Sequence, residues 1–577
     1  MKAHAKKRVT GFVARTRILS ALFILFAALL TLRLYFVQIV HGKEYRESAL
    51  GQYVEPSKDM QDRGDIFFTR RGGDFVAAAV MQAGWRIAIV PKELSDPEAT
   101  YAVLSTVLTI DRDRFFESAS RKKDPYEEVG FHLSNEEASE IRAKKLQGVI
   151  LVQDKWRNYP ASTLAAHVVG FVGWKGDRKV GVYGLEAFYE DTLKKISSGL
   201  YVNPFAEIFT NVGAALSPPL QGHNGSIVTS IEPNVQARLE EILTSVVKTY
   251  RPRTAGAIVM DPSTGEIVAM AARPTYDPNA YNIVQDPSVF SNVLVEHVYE
   301  MGSIMKPLTL AAGIDVGSVN ATTTYYDAGC IERSGKTICN YDGKARHVVT
   351  MQEVLNQSLN LGATFVEEQM GHNVFREYVH AFGLGEKTGI DLPNEGRGIV
   401  RSLDRGYDVD FASASFGQGI AVTGVEMIRA LASLGNGGVL PTPHVVSGVR
   451  LESGIVRSVT PLLGPRVLRA ETAEEVSNML VEVFDKALLG GVLRQEHYSI
   501  AAKTGTAQIP IPNGSGYYED RYLHSFFGYF PAHEPKFIVF LMAVEPHGAE
   551  FASATLARPF LELTKFLINY YDIPPDR

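Results

Sequence analysis

The chain has 577 residues, and its 58 Lys+Arg against 64 Asp+Glu give a formal charge of −6. A hydrophobic share of 45% with 21% charged excludes a disordered or collagen-like chain, and two cysteines exclude a disulfide-stapled miniprotein or a Cys-rich zinc array. A mean hydropathy of −0.03 excludes a polytopic membrane protein, and the acidic total gives no reason to expect a nucleic-acid partner.

The charge is uneven along the chain. Residues 1–17 carry Lys2, Lys6, Lys7, Arg8, Arg15 and Arg17 and no acid, so they hold +6 and the other 560 residues hold −12. An apolar run from Ile18 to Val40 follows, with Arg33 its one charge. Its 23 residues would form a helix of about 35 Å, enough to span a bilayer. The basic flank orients the N-terminus to the cytoplasm. No small-x-small site follows the run, which favours an uncleaved anchor over a signal peptide. Arg33 is expected to snorkel to the headgroups; its alternative is a contact with a membrane partner. No second run of 18 apolar residues exists, so the remainder is expected to be one extracytoplasmic body.

Residues 41–225 read as a mixed α/β module, rich in charge and poor in long apolar runs. From 226 to 577 the character changes. Gly256–Met260, the turn residues Asp261–Gly265 and Glu266–Ala272 predict a β-hairpin. Ser525–Pro531 and Phe537–Val544 predict two late strands, and Pro559–Tyr571 an amphipathic helix. Strands at both ends with helices between them predict an α/β sandwich whose sheet is completed by the C-terminal strands.

Three short motifs in this module carry chemistry. Ser303-Ile304-Met305-Lys306 opens an apolar helical run closed by Gly313 and Gly317, with Pro307 in the first turn, where its missing N–H costs nothing. Serine and lysine at i and i+3 share a helix face, about 5–6 Å apart at Cβ. Serine needs a base beside it, and lysine is one only when burial and nearby cations depress its pKa. Ser358-Leu359-Asn360 comes next. Thr350 and Glu353 form a capping-box pattern that starts a helix toward Ser358, and a second helix is expected from Leu361 to Met370. Ser358 and Asn360 then sit at the junction and point the same way if it is extended. Lys-Thr-Gly occurs twice. Lys387-Thr388-Gly389 follows a glycine-rich stretch and reads as a turn, whereas Lys503-Thr504-Gly505-Thr506 follows the strand-like Tyr498–Ala502. A strand edge presents a lysine and hydroxyls to a cleft, and Gly505 would let a substrate approach the backbone, so the later copy is the site candidate.

Cys330 and Cys339 are centred on Ser334-Gly335. If that pair is a two-residue hairpin turn, the cysteines face each other at disulfide range, and an oxidising compartment would close the bond. Two free thiols, or a zinc site completed by His347 or Asp342, remain open alternatives. The 14 histidines show no H-x-x-x-H cluster, so neither metal nor cofactor is expected elsewhere. Thr423 with Glu426 is a second capping box, for a helix ending at Gly435.

Ser303-x-x-Lys306, Ser358-x-Asn360 and Lys503-Thr504-Gly505 in this order are far more specific together than singly. The chain resembles the class B penicillin-binding proteins, which are peptidoglycan D,D-transpeptidases. The resemblance runs from the apolar N-terminal segment through Arg63-Gly64, Arg157-x-Tyr159-Pro160, Gly184-Leu185-Glu186, Gly417-Gln418-Gly419 and the motifs above. It departs after Arg63-Gly64, where Thr69-Arg70-Arg71-Gly72-Gly73 replaces the family's D-R-N-G-like turn, which puts the local pedestal contact in doubt.

The resemblance implies a penicillin-binding, serine β-lactamase-like fold, with a five-stranded antiparallel sheet and helices on both sides. To this it adds an elongated α+β pedestal at 41–225 and one transmembrane helix at 18–40 behind a cytoplasmic tail at 1–17. It implies Ser303 as nucleophile toward a D-alanyl-D-alanine stem peptide, Lys306 as base and Ser358 as proton carrier to the leaving D-alanine. Asn360 would position Lys306 and the substrate amide. Lys503, Thr504 and Thr506 would hold the substrate carboxylate beside Gly505, with the N–H groups of Ser303 and Thr506 as oxyanion hole. An amine from a second stem peptide would resolve the acyl-enzyme, with D-Ala-D-Ala carboxypeptidase activity on the side. β-Lactams would acylate Ser303. No glycosyltransferase region is recognisable before residue 226, so the resemblance implies an integral-membrane glycan polymerase and division- or elongation-complex partners at the bacterial cytoplasmic membrane. Ile573-Pro574-Pro575 leans toward the division type over the elongation type. Three rivals are a serine β-lactamase-like hydrolase, a membrane β-lactam sensor and a non-catalytic scaffold. No water-activating group is found for the first, 17 residues supply no output domain for the second, and all the motifs are present against the third.

Overall fold

The computed structural model describes residues 21–22, 24–31 and 33, then 63–577 apart from 177, 195–224, 452, 461–462, 513 and 515. The expected span at 18–40 lies largely outside these residues, and among the described residues no helix is long and apolar enough to cross a membrane. The basic tail at 1–17 lies wholly outside them.

Among the described residues two compact units form, one from 82–156, the other from 63–81 and 157–577. Strand β1 (Ile66–Thr69) turns through Arg70–Asp74 into the long β2 (Phe75–Ile89). In the smaller unit the second half of β2 pairs with β3 (Glu127–Leu133) and β4 (Val149–Asn158). Helices α1 (Pro97–Leu104), α2 (Arg112–Ser120) and α3 (Asn135–Ala143) belong to the same unit and are capped by Asp96, Asp111 and Ser134. Its core gathers Ile87, Ile89, Leu104, Phe115 and Leu133.

The larger unit begins with the first part of β2 beside β1, which runs parallel to β5 (Gly225–Thr229). Short helix α4 (Gly184–Phe188) carries Glu186 into a fully buried site between Arg63 and Arg157. After α5 (Pro233–Tyr250) come β6 (Thr254–Met260) and β7 (Ile267–Arg273), the hairpin expected from the sequence. Helix α6 (Lys306–Asp315) leads to the small hairpin β8 (Cys330–Arg333) and β9 (Lys336–Cys339). Ser334 and Gly335 both take positive φ there, so the pair is the turn and Cys330 faces Cys339 in a disulfide. Helices α7 (Met351–Asn356), α8 (Asn360–Met370) and α9 (Gly424–Gly435) follow, the last with both arms of its capping box made. Strands β10 (Val446–Leu451) and β11 (Val456–Ser458) extend the β5–β1 sheet, and α10 (Ala470–Glu482) leads into the final strands.

The central sheet is β12 (Ala501–Pro510), β13 (Tyr517–Phe530), β14 (Phe537–Val544), β6 and β7 in that spatial order, antiparallel throughout. All eight residues of β14 are buried, because both faces are covered. Ile538, Phe540 and Met542 face the core around α6 and α9; Val539, Leu541 and Ala543 face the core of α5 and α11 (Ala552–Tyr571). Helix α11 starts seven residues before the sequence-based expectation. Pro559 lies inside it rather than at its head, losing one intrahelical hydrogen bond while Phe560, Leu563 and Leu567 bury beyond it. Within the Thr69–Gly73 turn Arg71 is anchored, since it reaches the Tyr570 carbonyl and Asp572 at the end of α11.

Candidate active site

Edge strand β12 lies against the turn Gly302–Met305 that opens α6. Gly302 needs its positive φ of 65°, and its N–H donates to the Gly417 carbonyl at 3.0 Å. A Cβ on Gly417 would sit 2.2 Å from the Gly302 carbonyl oxygen, so the two glycines allow one backbone to lie on the other. The Ser525 hydroxyl donates to the Met301 carbonyl at 2.8 Å, and Thr309 on α6 donates to the Ser415 carbonyl at 2.7 Å. These contacts fix the turn from three directions. Within it Ile304, Met305 and Lys306 are buried while Ser303 keeps partial exposure.

Lys306 is fully buried. Its Nζ donates to the Ser358 carbonyl at 2.5 Å and lies 3.2 Å from Ser358 Oγ. Lys503 on β12 approaches the same hydroxyl at 2.9 Å and donates to the Thr504 carbonyl at 3.1 Å. Two lysines thus meet on one serine hydroxyl. Burial, then the neighbouring Lys503 charge, hold Lys306 well below the usual lysine range. Burial alone brings Lys503 down to about 7.

Ser358 has φ of 57°, a conformation uncommon for a residue with a Cβ. The junction between α7 and α8 is therefore not a simple extended link: Ser358 turns to the two lysines while Asn360 opens α8. The Asn360 amide donates to the Cys339 carbonyl at 2.9 Å, and the Asn340 side chain accepts from Leu361 N at 3.2 Å. The disulfide hairpin is the backing of this motif. Thr350 caps α7 through Glu353 N, but the Glu353 carboxylate turns to Asn356 and Gln357 instead of closing the box.

On β12, Thr504 and Thr506 are partly exposed between buried Lys503, Gly505 and Ala507. Gly505 serves packing rather than substrate approach, since a Cβ there would meet Ser525 Oγ at 2.3 Å and the Met301 carbonyl oxygen at 2.7 Å. The Thr506 hydroxyl accepts from Ala552 N at 3.1 Å, and its backbone lies beside Gly302. The N–H groups of Ser303 and Thr506 thus come from adjoining segments. Lys387-Thr388-Gly389 lies in an irregular loop, outside any turn or strand, in which Glu395 accepts from Thr388 and Gly389.

Three residues escaped the sequence reading. Tyr341, after the disulfide hairpin, and Phe551, before α11, pair edge to face at 5.9 Å while staying 59% and 41% exposed. Each neighbours a segment bonded to a motif, which their sequence positions alone do not signal. Glu300, three residues before Ser303, is the third.

Residues 255–562 match the penicillin binding protein transpeptidase domain family, and residues 61–203 the penicillin-binding protein dimerisation domain family. The chain is 31% identical to stage V sporulation protein D of Bacillus subtilis, over 96% of this chain and 85% of that protein. It is 26% identical to the probable peptidoglycan D,D-transpeptidase PenA of Neisseria meningitidis, over 99% and 95%. The crystal structure of penicillin-binding protein 2X from Streptococcus thermophilus superposes with a TM-score of 0.71, covering 89% of this chain and 81% of that one at 22% identity, which bears on fold alone.

Proposed function

This chain belongs to the class B penicillin-binding proteins, and from that membership we propose how its site works and where it acts. It is a serine D,D-transpeptidase that crosslinks peptidoglycan stem peptides, and it binds penicillin. The observation that carries the assignment of roles is the fully buried Lys306 on Ser358, with Lys503 facing the same hydroxyl.

Neutral Lys306 takes the proton of Ser303 Oγ as that oxygen attacks the carbonyl between two D-alanines. The Ser303 and Thr506 N–H groups receive the oxyanion, a contribution of about 3–4 kcal/mol for such a donor. Ser358, touched by both lysines, hands a proton to the departing D-alanine. Lys503, Thr504 and Thr506 hold the terminal carboxylate. Asn360, with its Nδ2 on Cys339, presents the other end of its amide to the substrate. A second stem peptide's amine then displaces Ser303, and water in its place gives carboxypeptidase activity. Labelled penicillin should attach to the wild type and not to Ser303→Ala; attachment that survives the change moves the nucleophile elsewhere.

The working layout keeps 1–17 cytoplasmic, 18–40 as a single-pass anchor, 41–225 as pedestal and 226–577 as the catalytic module outside the bacterial cytoplasmic membrane. The apolar run behind a basic tail supports the anchor. The partner is an integral-membrane glycan polymerase in the division complex, a septal role supported by Ile573-Pro574-Pro575. Depletion should make cells filament; rounding would assign the enzyme to side-wall growth.

A further inference from the structure

A cavity of about 1040 Å³ lies across one end of the central sheet, next to the catalytic turn. Its walls include Val544 at the end of β14 and its β13 partner Leu523, Ile509 after the KTGT motif and Ile420 after the Gly417–Gly419 segment. Glu300 lies in this wall three residues before Ser303, at most about 10 Å of chain. The segment carrying it is clamped, because Tyr299 exchanges two backbone hydrogen bonds with Val422 and Gly302 donates to Gly417.

The Glu300 carboxyl is incompletely used. Oε1 has only a long contact, 3.4 Å, from the Tyr517 hydroxyl. Oε2 is buried and has no hydrogen bond of good geometry among the described residues, although the nearby Gly419 backbone offsets part of the effect of burial on the carboxyl. A buried acceptor without a donor costs on the order of 1–3 kcal/mol, which a ligand N–H would recover. Burial also pushes this carboxyl up to about 7, and an arriving cation would return it to the ionised form. The cavity's arginines do not oppose a cation, since Arg253 pairs with Glu545 and Arg273 with Glu240. Asp286 and Glu296 add negative charge to the same lining. The apolar walls suit a methylene chain.

We infer that this cavity captures the acceptor strand of the crosslinking reaction, with the primary ammonium of an aliphatic side chain held at Glu300. The inference rests on the transpeptidase reading and assigns its second substrate a place. The ammonium gives one proton to the Glu300 carboxylate and becomes a nucleophilic amine. Its C–N bond to the acyl carbon then forms as the acyl–Oγ bond of Ser303 breaks. The amine's second proton goes to Ser303 Oγ, and Glu300 returns its own to water.

The test uses the full chain, an ester donor ending in D-alanine and Nα-acetyl-lysine as amine. The readout is the ratio of amide to hydrolysed acid against amine concentration. It counts only acyl-enzyme already formed, so a slower acylation does not enter it. In the wild type the ratio should saturate, and Glu300→Gln should raise the half-saturating concentration at least tenfold. A strictly linear wild-type dependence, as for an amine colliding from solution, overturns the inference, as does an unchanged curve in Glu300→Gln. Should that variant fail to fold, Ala421→Trp fills the cavity from another wall and must also raise the half-saturating concentration; an unchanged curve there overturns the inference too. Failure of penicillin to attach to wild-type Ser303 would instead remove the transpeptidase reading, and this inference with it.

Discussion

Glu186 and Lys306 are both charged residues with no exposed surface, yet their surroundings are opposite. Glu186 receives Arg63 Nε and Arg157 Nε at 2.6 Å each, and a second carboxylate, Glu190, meets Arg63 at 2.7 Å. Burial works against its ionisation, but Arg157 and then Arg63 overcome it, and the carboxyl stays below its usual range. Arg63 shows the mirror effect, with burial outweighed by Glu186 and Glu190 so that its pKa is raised. Among the described residues Lys306 has no counter-ion, only a carbonyl, a hydroxyl and a like charge nearby. The first cluster locks charge in and joins distant chain segments. The second drives charge out and so produces a base at neutral pH. Burial is common to both; the sign of the neighbours decides which becomes reactive.

The comparison breaks first at Lys306→Met. Acylation by penicillin should fall on the order of 10³-fold or more, the scale of losing a general base. Thermal stability should stay level or rise, because a buried polar amine without a counter-ion among the described residues is replaced by an apolar side chain of similar size. A stability loss as large as that of a broken ion pair would show that Lys306 is structural. Glu186→Gln should do the reverse. It leaves Arg63 and Arg157 buried without their carboxylate, which costs about 3–5 kcal/mol in unfolding experiments. The folded fraction should still bind penicillin one to one, and a folded variant that fails to do so would tie this cluster to catalysis.

Much of the fold around the reactive cluster was legible before any coordinates, because local rules set it, whereas the pairing of Glu186 with Arg63 and Arg157 was not. The β6–β7 hairpin follows from a turn between alternating strands, α9 from Thr423 and Glu426, and the disulfide register from the symmetry about Ser334-Gly335. The motif order pointed to Ser303 as the candidate nucleophile and to the two lysines that the fold brings onto Ser358. What stayed hidden depends on segments far apart in sequence. Gly302 and Gly417 are 115 positions apart, and only the fold shows that neither tolerates a Cβ. Gly505 seemed open to substrate because its true neighbours, Met301 and Ser525, are set by β12 and β13 pairing beside the turn. The left-handed Ser358 has no sequence signal at all; its cost is absorbed by the lysine contacts it enables. Glu300, between Tyr299 and Met301, carries no local pattern that sets it apart from the chain's other acids.

A smaller effect separates the two lysine motifs. Lys503→Ala should slow penicillin acylation on the order of 10²-fold by removing a charge-assisted contact to the ligand carboxylate, about 2–3 kcal/mol. Lys387→Ala should change it less than twofold, since its loop is held by Thr388, Gly389 and Glu395. Equal losses from the two would unseat the assignment of the later motif.

The smallest effect is one of pH, and it tests the sign rule directly. Lys503 titrates at about 7 when folded against about 10.4 in an unfolded chain, so the unfolded state binds the extra proton between these values. Stability linked to this group therefore rises with pH across that window, by at most about 1.4 kcal/mol per unit. Lys503→Met lacks the buried charge. It should melt above the wild type near pH 6, and the gap should close on the order of 1–2 °C per pH unit toward pH 10. Glu186 runs the other way. Its folded pKa is depressed, so its contribution is complete above the unfolded value and is lost as pH falls through the folded one. The wild-type advantage over Glu186→Gln should hold steady above about pH 5 and shrink in acid. Melting curves of both variants from pH 3 to pH 10 should thus move in opposite halves of the range. If the Lys503→Met gap also closed in acid, the lysine pair would be behaving as a locked ion pair, and the division between a structural and a reactive cluster would fail.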